Sequence, residues 1–254
     1  MAEYFLHVEL IVPQANVATF EAKVKEFLDR GKTAGFERSK PFKFFDPSFD
    51  IELVMALKTP DAFQFSGYES FQSVKGQFEM FDHRKGMESV FRYVHLWRLN
   101  SLSQLDIARV MTRSADDVLY AEIDSQVVRE TQNLVLRVQF LSGQPTMDAG
   151  KGRFVRAVRH FRSSDLGKYL FKVGMLFPLL AKKHYRTLGH FQNVTSELNT
   201  VTEFWQVPDD EKLGTMLQVF NDVAPKFKEQ VVSDYLNLVQ AEVRELYVPT
   251  PYFP

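Results

Sequence analysis

The chain contains no cysteine. Disulfides, cysteine nucleophiles, thiolate zinc sites and iron–sulfur clusters are therefore excluded. No charge of either sign dominates: 31 Lys and Arg stand against 32 Asp and Glu. A domain that grips nucleic acid through its phosphates usually carries a basic excess, so no nucleic-acid partner is expected. No long apolar run exists either. The most apolar stretch, residues 170–180, is interrupted by Lys172, Gly174 and Pro178, and a bilayer span needs about 20 residues. The first residues, Met-Ala-Glu-Tyr-Phe, show no basic segment followed by an apolar one. A cytoplasmic protein without a leader is the expectation. Walker-type glycine loops, a GxGxxG turn and a G-x-S-x-G elbow are missing too, which leaves nucleotide-dependent and serine-hydrolase chemistry without support.

What remains is an ordinary globular composition with one bias. The 254 residues include 24 Phe, against 9 Tyr and 2 Trp. Phe fills a core without requiring a hydrogen-bond partner. The length suits one large domain or two small ones.

Alternation organises the first hundred residues. In residues 4–12, Tyr4, Leu6, Val8, Leu10 and Val12 form one face and Phe5, His7, Glu9 and Ile11 the other, which predicts a strand. Pro13 ends it. Asn16 then suits an N-cap, and Val17, Phe20, Val24, Phe27 and Leu28 recur at helical spacing until Gly31 and Gly35. Residues 40–45 and 51–58, around Asp46-Pro47-Ser48, suggest a hairpin. Thr59-Pro60-Asp61 opens a helix in which Phe71, Val74, Phe78 and Phe81 repeat at helical spacing. Residues 92–100 return to a strand. The order β-α-β-β-α-β is that of a ferredoxin-like unit.

The second half repeats the plan. Residues 134–141 predict a strand, and 151–184 a long helical region. Residues 185–192 and 200–207 predict a strand pair. Pro208-Asp209 opens a helix carrying Leu213, Met216, Leu217 and Phe220, a second helical stretch runs over 225–239, and 242–248 closes as a strand. Residues 101–131 predict a connecting helix with Leu102, Leu105, Leu119, Ile123 and Val127 buried. The expected fold is α+β, with ferredoxin-like units at 1–100 and 133–254, a helical linker at 101–132 and an inserted helical segment near 163–184.

Two such units in one chain resemble the dimeric α/β-barrel superfamily, in which two sheets pack into a barrel whose interior holds the active site. The strings His95-Leu96-Trp97-Arg98-Leu99 and Phe204-Trp205-Gln206-Val207-Pro208-Asp209 are also similar to the NIPSNAP branch. The resemblance implies small-molecule chemistry of the cyclase, isomerase, dehydratase or cofactor-free oxygenase type. It equally admits a metal- or haem-dependent oxidoreductase, or a non-catalytic NIPSNAP-like binding protein. Fusion of two units removes the need to dimerise and is compatible with a homo-oligomer.

Polar residues on half-buried strands need pairing or a wet cavity. His7 and Glu9 on the first strand, and Tyr93, His95 and Trp97 on the strand expected beside it, would meet if their register places them on one face. A histidine oriented by a carboxylate suits general acid–base work, with His7, Glu9 and His95 as the catalytic set. Tyr93, Trp97, Arg137 and Gln139 would orient a small, fairly apolar substrate. His7, Glu9, Glu52 and His95 also offer imidazole and carboxylate ligands to a non-haem metal. The resemblance implies that a haem would hang on a histidine of the second unit, and His160, His184 and His190 are the candidates there. Arg153, Arg156, Arg159 and Arg162, at every third residue of the predicted helix 151–162, could take an anionic group.

Overall fold

The computed structural model describes residues 2–33, 51–59, 78–82, 86–99, 102, 118–140, 152–182, 186–207 and 237–252. The chain divides into two compact units. Residues up to Val135, less a short stretch at 65–74, form the first together with those from Pro249 onward, and Leu136 to Val248 form the second.

In the first unit the alternating segment becomes β1 (Glu3–Pro13). A single 3-10 turn, Gln14–Asn16, leads into α1 (Val17–Thr33). Asn16 does not cap that helix. Its side-chain amide donates instead to the carbonyl of Gln126, at 3.3 Å. β2 (Ile51–Lys58) and β4 (Gly86–Leu99) form as the pattern predicts, β4 beginning six residues early. β4 pairs antiparallel with both β1 and β2. Val8, Leu10 and Val12 of β1, Phe91 and Tyr93 of β4, and Ala56 of β2 pack against Phe20 and Val24 of α1. Burial of this apolar stripe, rather than helix propensity, holds α1 on the sheet.

Two helical expectations for this part of the chain are corrected. Phe78 and Phe81 lie in a strand, β3 (Phe78–Asp82), paired in register with the start of β4, Phe78 opposite Val90 and Asp82 opposite Gly86. The spacing of three that suggested a helix competes with the alternation of Phe78 and Met80, and pairing with β4 decides for the strand. The preceding stretch 60–77 lies outside the described residues, as do 34–50. Of the expected linker helix, residues 103–117 with Leu105 lie outside the described residues; α2 (Val118–Asp124) is helical, and a strand, β5 (Arg129–Arg137), begins where helix was expected and ends before Leu141. Leu119 is buried while Leu102 is exposed. Ile123 and Val127 pack on the edge of the β1–α1 core.

The larger correction is in the second unit. Residues 151–162 are not a basic helix. They form β6 (Arg153–Phe161), and the helix is α3 (Leu166–Lys182). Arginines three apart imitate a helical face, but Val155, Ala157 and Val158 between them suit a strand buried on both sides, where polar and apolar residues need not alternate. The order continues through β7 (Arg186–Asn193), β8 (Thr200–Val207) and β9 (Val239–Pro249). The four strands run β7-β8-β6-β9, every neighbour antiparallel. α3 is thus the first crossover helix of this unit and not an insertion. Tyr169, Val173, Leu176 and Phe177 form its buried stripe. The helices expected over 208–236 lie outside the described residues. No helix among the described residues is long and apolar enough to cross a membrane.

Candidate functional site

Directly opposed residues of an antiparallel pair share a face. Leu6, Val8 and Leu10 oppose Trp97, His95 and Tyr93, whereas His7 and Glu9 oppose Leu96 and Val94. His95, Tyr93 and Trp97 therefore share the face that carries Phe20 of α1, and His7 and Glu9 the reverse face. The expected meeting of the two histidines does not occur. The same register separates the proposed metal set, because His7 and Glu9 lie on one face and His95 on the other, while Glu52 pairs with Arg98 along the backbone. Among the described residues no three His, Asp or Glu converge to hold a metal ion.

On the face turned away from α1, His7 is buried, and its Nδ1 lies 3.9 Å from Glu9 Oε1. That distance is an ion-pair separation once the imidazole is protonated and is longer than a hydrogen bond. Arg92, opposite Ile11, brings its Nε to 3.9 Å from the other Glu9 oxygen. Sequence alone missed Arg92, since only the register places it diagonally across from Glu9.

On the helix face His95 is fully enclosed. Its Nε2 is 3.0 Å from the hydroxyl of Tyr252, and the two rings meet edge to face with centroids 5.7 Å apart. Burial lowers the His95 pKa to about 4 and raises that of Tyr252 well above its usual value. Beside them the Tyr93 hydroxyl donates to Glu21 at 2.9 Å, and Lys58 donates to the same oxygen at 2.8 Å. The unfolded imidazole, near 6.5, binds a proton that the folded one refuses. Stability from His95 is therefore complete above about pH 6.5 and is lost as pH falls towards 4, by about 3 kcal/mol. Urea unfolding at pH 7 and pH 4.5 should show a smaller loss in His95→Gln than in the unsubstituted protein. An equal loss in both would mean that His95 is not held neutral.

The second unit buries a polar cluster under α3. Glu203 of β8 is 1% exposed and lies opposite His190 of β7. Tyr169 and Arg159 both donate to its carboxylate, and Trp205 Nε1 donates at 2.8 Å. Arg159 also donates to the Tyr169 hydroxyl at 3.0 Å and to Glu242 at 3.2 Å. Burial would raise the Glu203 pKa, but the Arg159 charge, then His190 and the two hydrogen bonds, hold it near about 2. Burial lowers the His190 pKa to about 4 against the pull of Glu203, its Nε2 3.4 Å from that carboxylate. Neither His190 ring nitrogen has a hydrogen-bond partner among the described residues. Rings of Phe177, Phe140 and Trp205 surround it, with centroids at 5.1, 5.2 and 5.5 Å. On the opposite face of the sheet Arg156 donates to Glu245 at 2.6 Å, and Tyr247 donates to the same carboxylate at 2.9 Å.

The remaining sequence candidates scatter. Arg137 lies along the backbone at Gly189, where any Cβ would come within 3.1 Å of its Nε and of the Phe191 ring. Gln139 lies past the end of β5 and is exposed. Arg156 and Arg159 are consumed by the carboxylates named above. His160 is half-exposed and pairs with Glu197, 3.0 Å away. His184 lies outside the described residues.

No family model matches the chain, and no curated protein sequence matches it. Solved structures do. A candidate monooxygenase from Fusobacterium nucleatum aligns with a TM-score of 0.55 at 10% identity, covering 98% of this chain and 93% of that one. A candidate monooxygenase from Lactobacillus acidophilus NCFM gives 0.51 at 9% identity, over 98% and 94%. Chlorite dismutase from Candidatus Nitrospira defluvii gives 0.50 at 6%, over 98% and 92%. NIPSNAP proteins match over 40–43% of this chain at a TM-score of 0.35. The chain therefore has an α+β fold like the ferredoxin-like dimeric α/β barrel fold of the candidate monooxygenases.

Haem, which that resemblance brings with it, does not fit the second-unit histidines described. His190 would need an open side for iron, and three aromatic rings and the Glu203 carboxylate occupy its surroundings. His160 is engaged with Glu197 and Thr200 at the end of β6.

Proposed function

We propose that this protein is a small-molecule enzyme that removes a proton from carbon next to a carbonyl, using His7, Glu9 and Arg92. The observation that carries this reading is Glu9 standing between His7 and Arg92, 3.9 Å from each, on the face of the β1–β4 pair turned away from α1.

Each residue takes one task. With Nδ1 turned to Glu9, His7 Nε2 accepts the proton. The C–H electron pair becomes the C=C bond of an enolate as the carbonyl π pair moves onto oxygen. Glu9 stabilises the imidazolium that results, and the Arg92 guanidinium donates to the enolate oxygen. Return of the proton at another carbon completes an isomerisation; attack of the enolate carbon on a second carbonyl carbon of the same molecule, whose π pair goes to its oxygen and takes the proton back from His7, completes a cyclisation. His95 takes no part, because β4 turns it to the other face. The candidate monooxygenases among the solved structures support an enzyme on this fold and leave the reaction to the residues.

Hydrogen–deuterium exchange of a panel of aromatic 1,3-diketones in heavy water, followed by proton NMR, tests this reading. The protein should accelerate exchange of at least one member. His7→Ala should lower that rate about 100-fold and Glu9→Gln about 10-fold, while His160→Gln leaves it unchanged. Exchange that stays at the buffer rate for every diketone, or that survives His7→Ala, would overturn the assignment.

A further inference from the structure

The helix face of the first unit holds a second arrangement that this chemistry does not use. Tyr252 belongs to no strand or helix. It sits in the short turn after Thr250, whose amide and hydroxyl both bond to the single carbonyl of Ala56, at 3.1 and 3.3 Å. From that strap one phenol ring enters the core between β4 and α1. It joins Phe20, Phe91 and Tyr93, with Trp97 partly buried at the edge of the cluster. At the inner end the hydroxyl meets the imidazole of His95, a fully buried polar group that Trp97 also borders, with ring centroids 6.3 Å apart.

The geometry points to a binding slot for a small para-substituted phenol, which the protein's own Tyr252 fills in this state. Three features define that ligand class. The aromatic walls accept a single flat ring. The buried imidazole requires one hydroxyl at its far end, because an apolar ring there would strand Nε2 without a partner. Thr250 anchors the turn through the Ala56 carbonyl, and its side chain also bonds the Tyr252 hydroxyl, so departure of the ring loosens that anchor. A free phenol and Tyr252 then compete for one site, and its occupation by a ligand releases the strap.

Two measurements test this. In Tyr252→Ala, p-cresol should bind with saturation at sub-millimolar concentration and raise the melting temperature. Toluene, which lacks the hydroxyl, should bind at least 10-fold more weakly. In the unsubstituted protein, saturating p-cresol should speed exchange of the Thr250 amide at least 10-fold, a readout that needs no variant to fold. The proposal fails if Tyr252→Ala binds toluene as well as p-cresol, or binds neither. It fails equally if Thr250 keeps its protection in saturating p-cresol. The diketone reaction on the other face is independent of all of these outcomes.

Discussion

Replacing Glu203 by Gln should destabilise the second unit by about 3–5 kcal/mol, the usual cost of breaking a buried ion pair from one side. The carboxylate is enclosed and accepts from Arg159, Tyr169 and Trp205. Its loss leaves the Arg159 guanidinium, itself buried, short of one carboxylate while Glu242 stays on it. For a chain of this length such a loss lowers the melting temperature by about 10 °C or more. Trp205 reports directly, since its indole donates to the altered side chain. Urea unfolding followed by its fluorescence, in a Trp97→Phe background, measures the effect. The double replacement Arg159→Met with Glu203→Leu removes both charges and should recover part of the loss, the buried Tyr169 and Trp205 donors remaining unmatched. If Glu203→Gln costs under about 1 kcal/mol, water reaches the pair and the cluster is not the sealed one described.

Phe177→Ala should cost a similar amount, about 3–5 kcal/mol, as is usual for a fully buried Phe truncated to Ala. It should also change an ionisation. The Phe177 ring lies 5.1 Å from the His190 imidazole and 4.6 Å from Phe140, which packs on Gly174 of the same helix. Burial is the first cause of the lowered His190 pKa, so a void open to water should return it from about 4 towards the ordinary 6.5. Phe177→Leu keeps most of the volume and should cost under about 1.5 kcal/mol with the pKa little moved. An NMR titration of the His190 Cε1 proton reads this. A His190 that still titrates near 4 in Phe177→Ala would show that Trp205 and Phe140 suffice to exclude water.

Where one face of a strand is apolar and the other mixed, the sequence announced the strand. β1 and β4 are of this kind, and β7 and β8 were legible as a strand pair. β6 was hidden because both of its faces are covered. Arg156 and Arg159 find carboxylates on opposite sides of the sheet, so their spacing of three carries no information about a helix. β3 was hidden by the coincidence of Phe78 and Phe81. The site was legible as a set of residue types and not as a place. His7 with Glu9 followed from two positions on one strand. Whether His95 joined them depended on a register that one residue of slip would reverse. Tyr252, in a segment marked mainly by Pro249 and Pro251, gave no sign that it would reach His95 from more than 150 positions away. Glu203 gave only a weak sign, a lone acid in an otherwise neutral run from Thr200 to Val207.

All eight residues of β8 are buried, with β7 on one side and β6 on the other. Most strands have an outer row where charge, size and polarity can drift without consequence. β8 has no such row. Exchanges there are confined to side chains of nearly equal volume, and at Glu203, Trp205 and Gln206 also to equal hydrogen-bonding capacity. A library that varied every position of the chain would therefore find Thr200–Val207 depleted of survivors without alternation. Among distant members of the fold, that run should anchor an alignment when the loops around it no longer do.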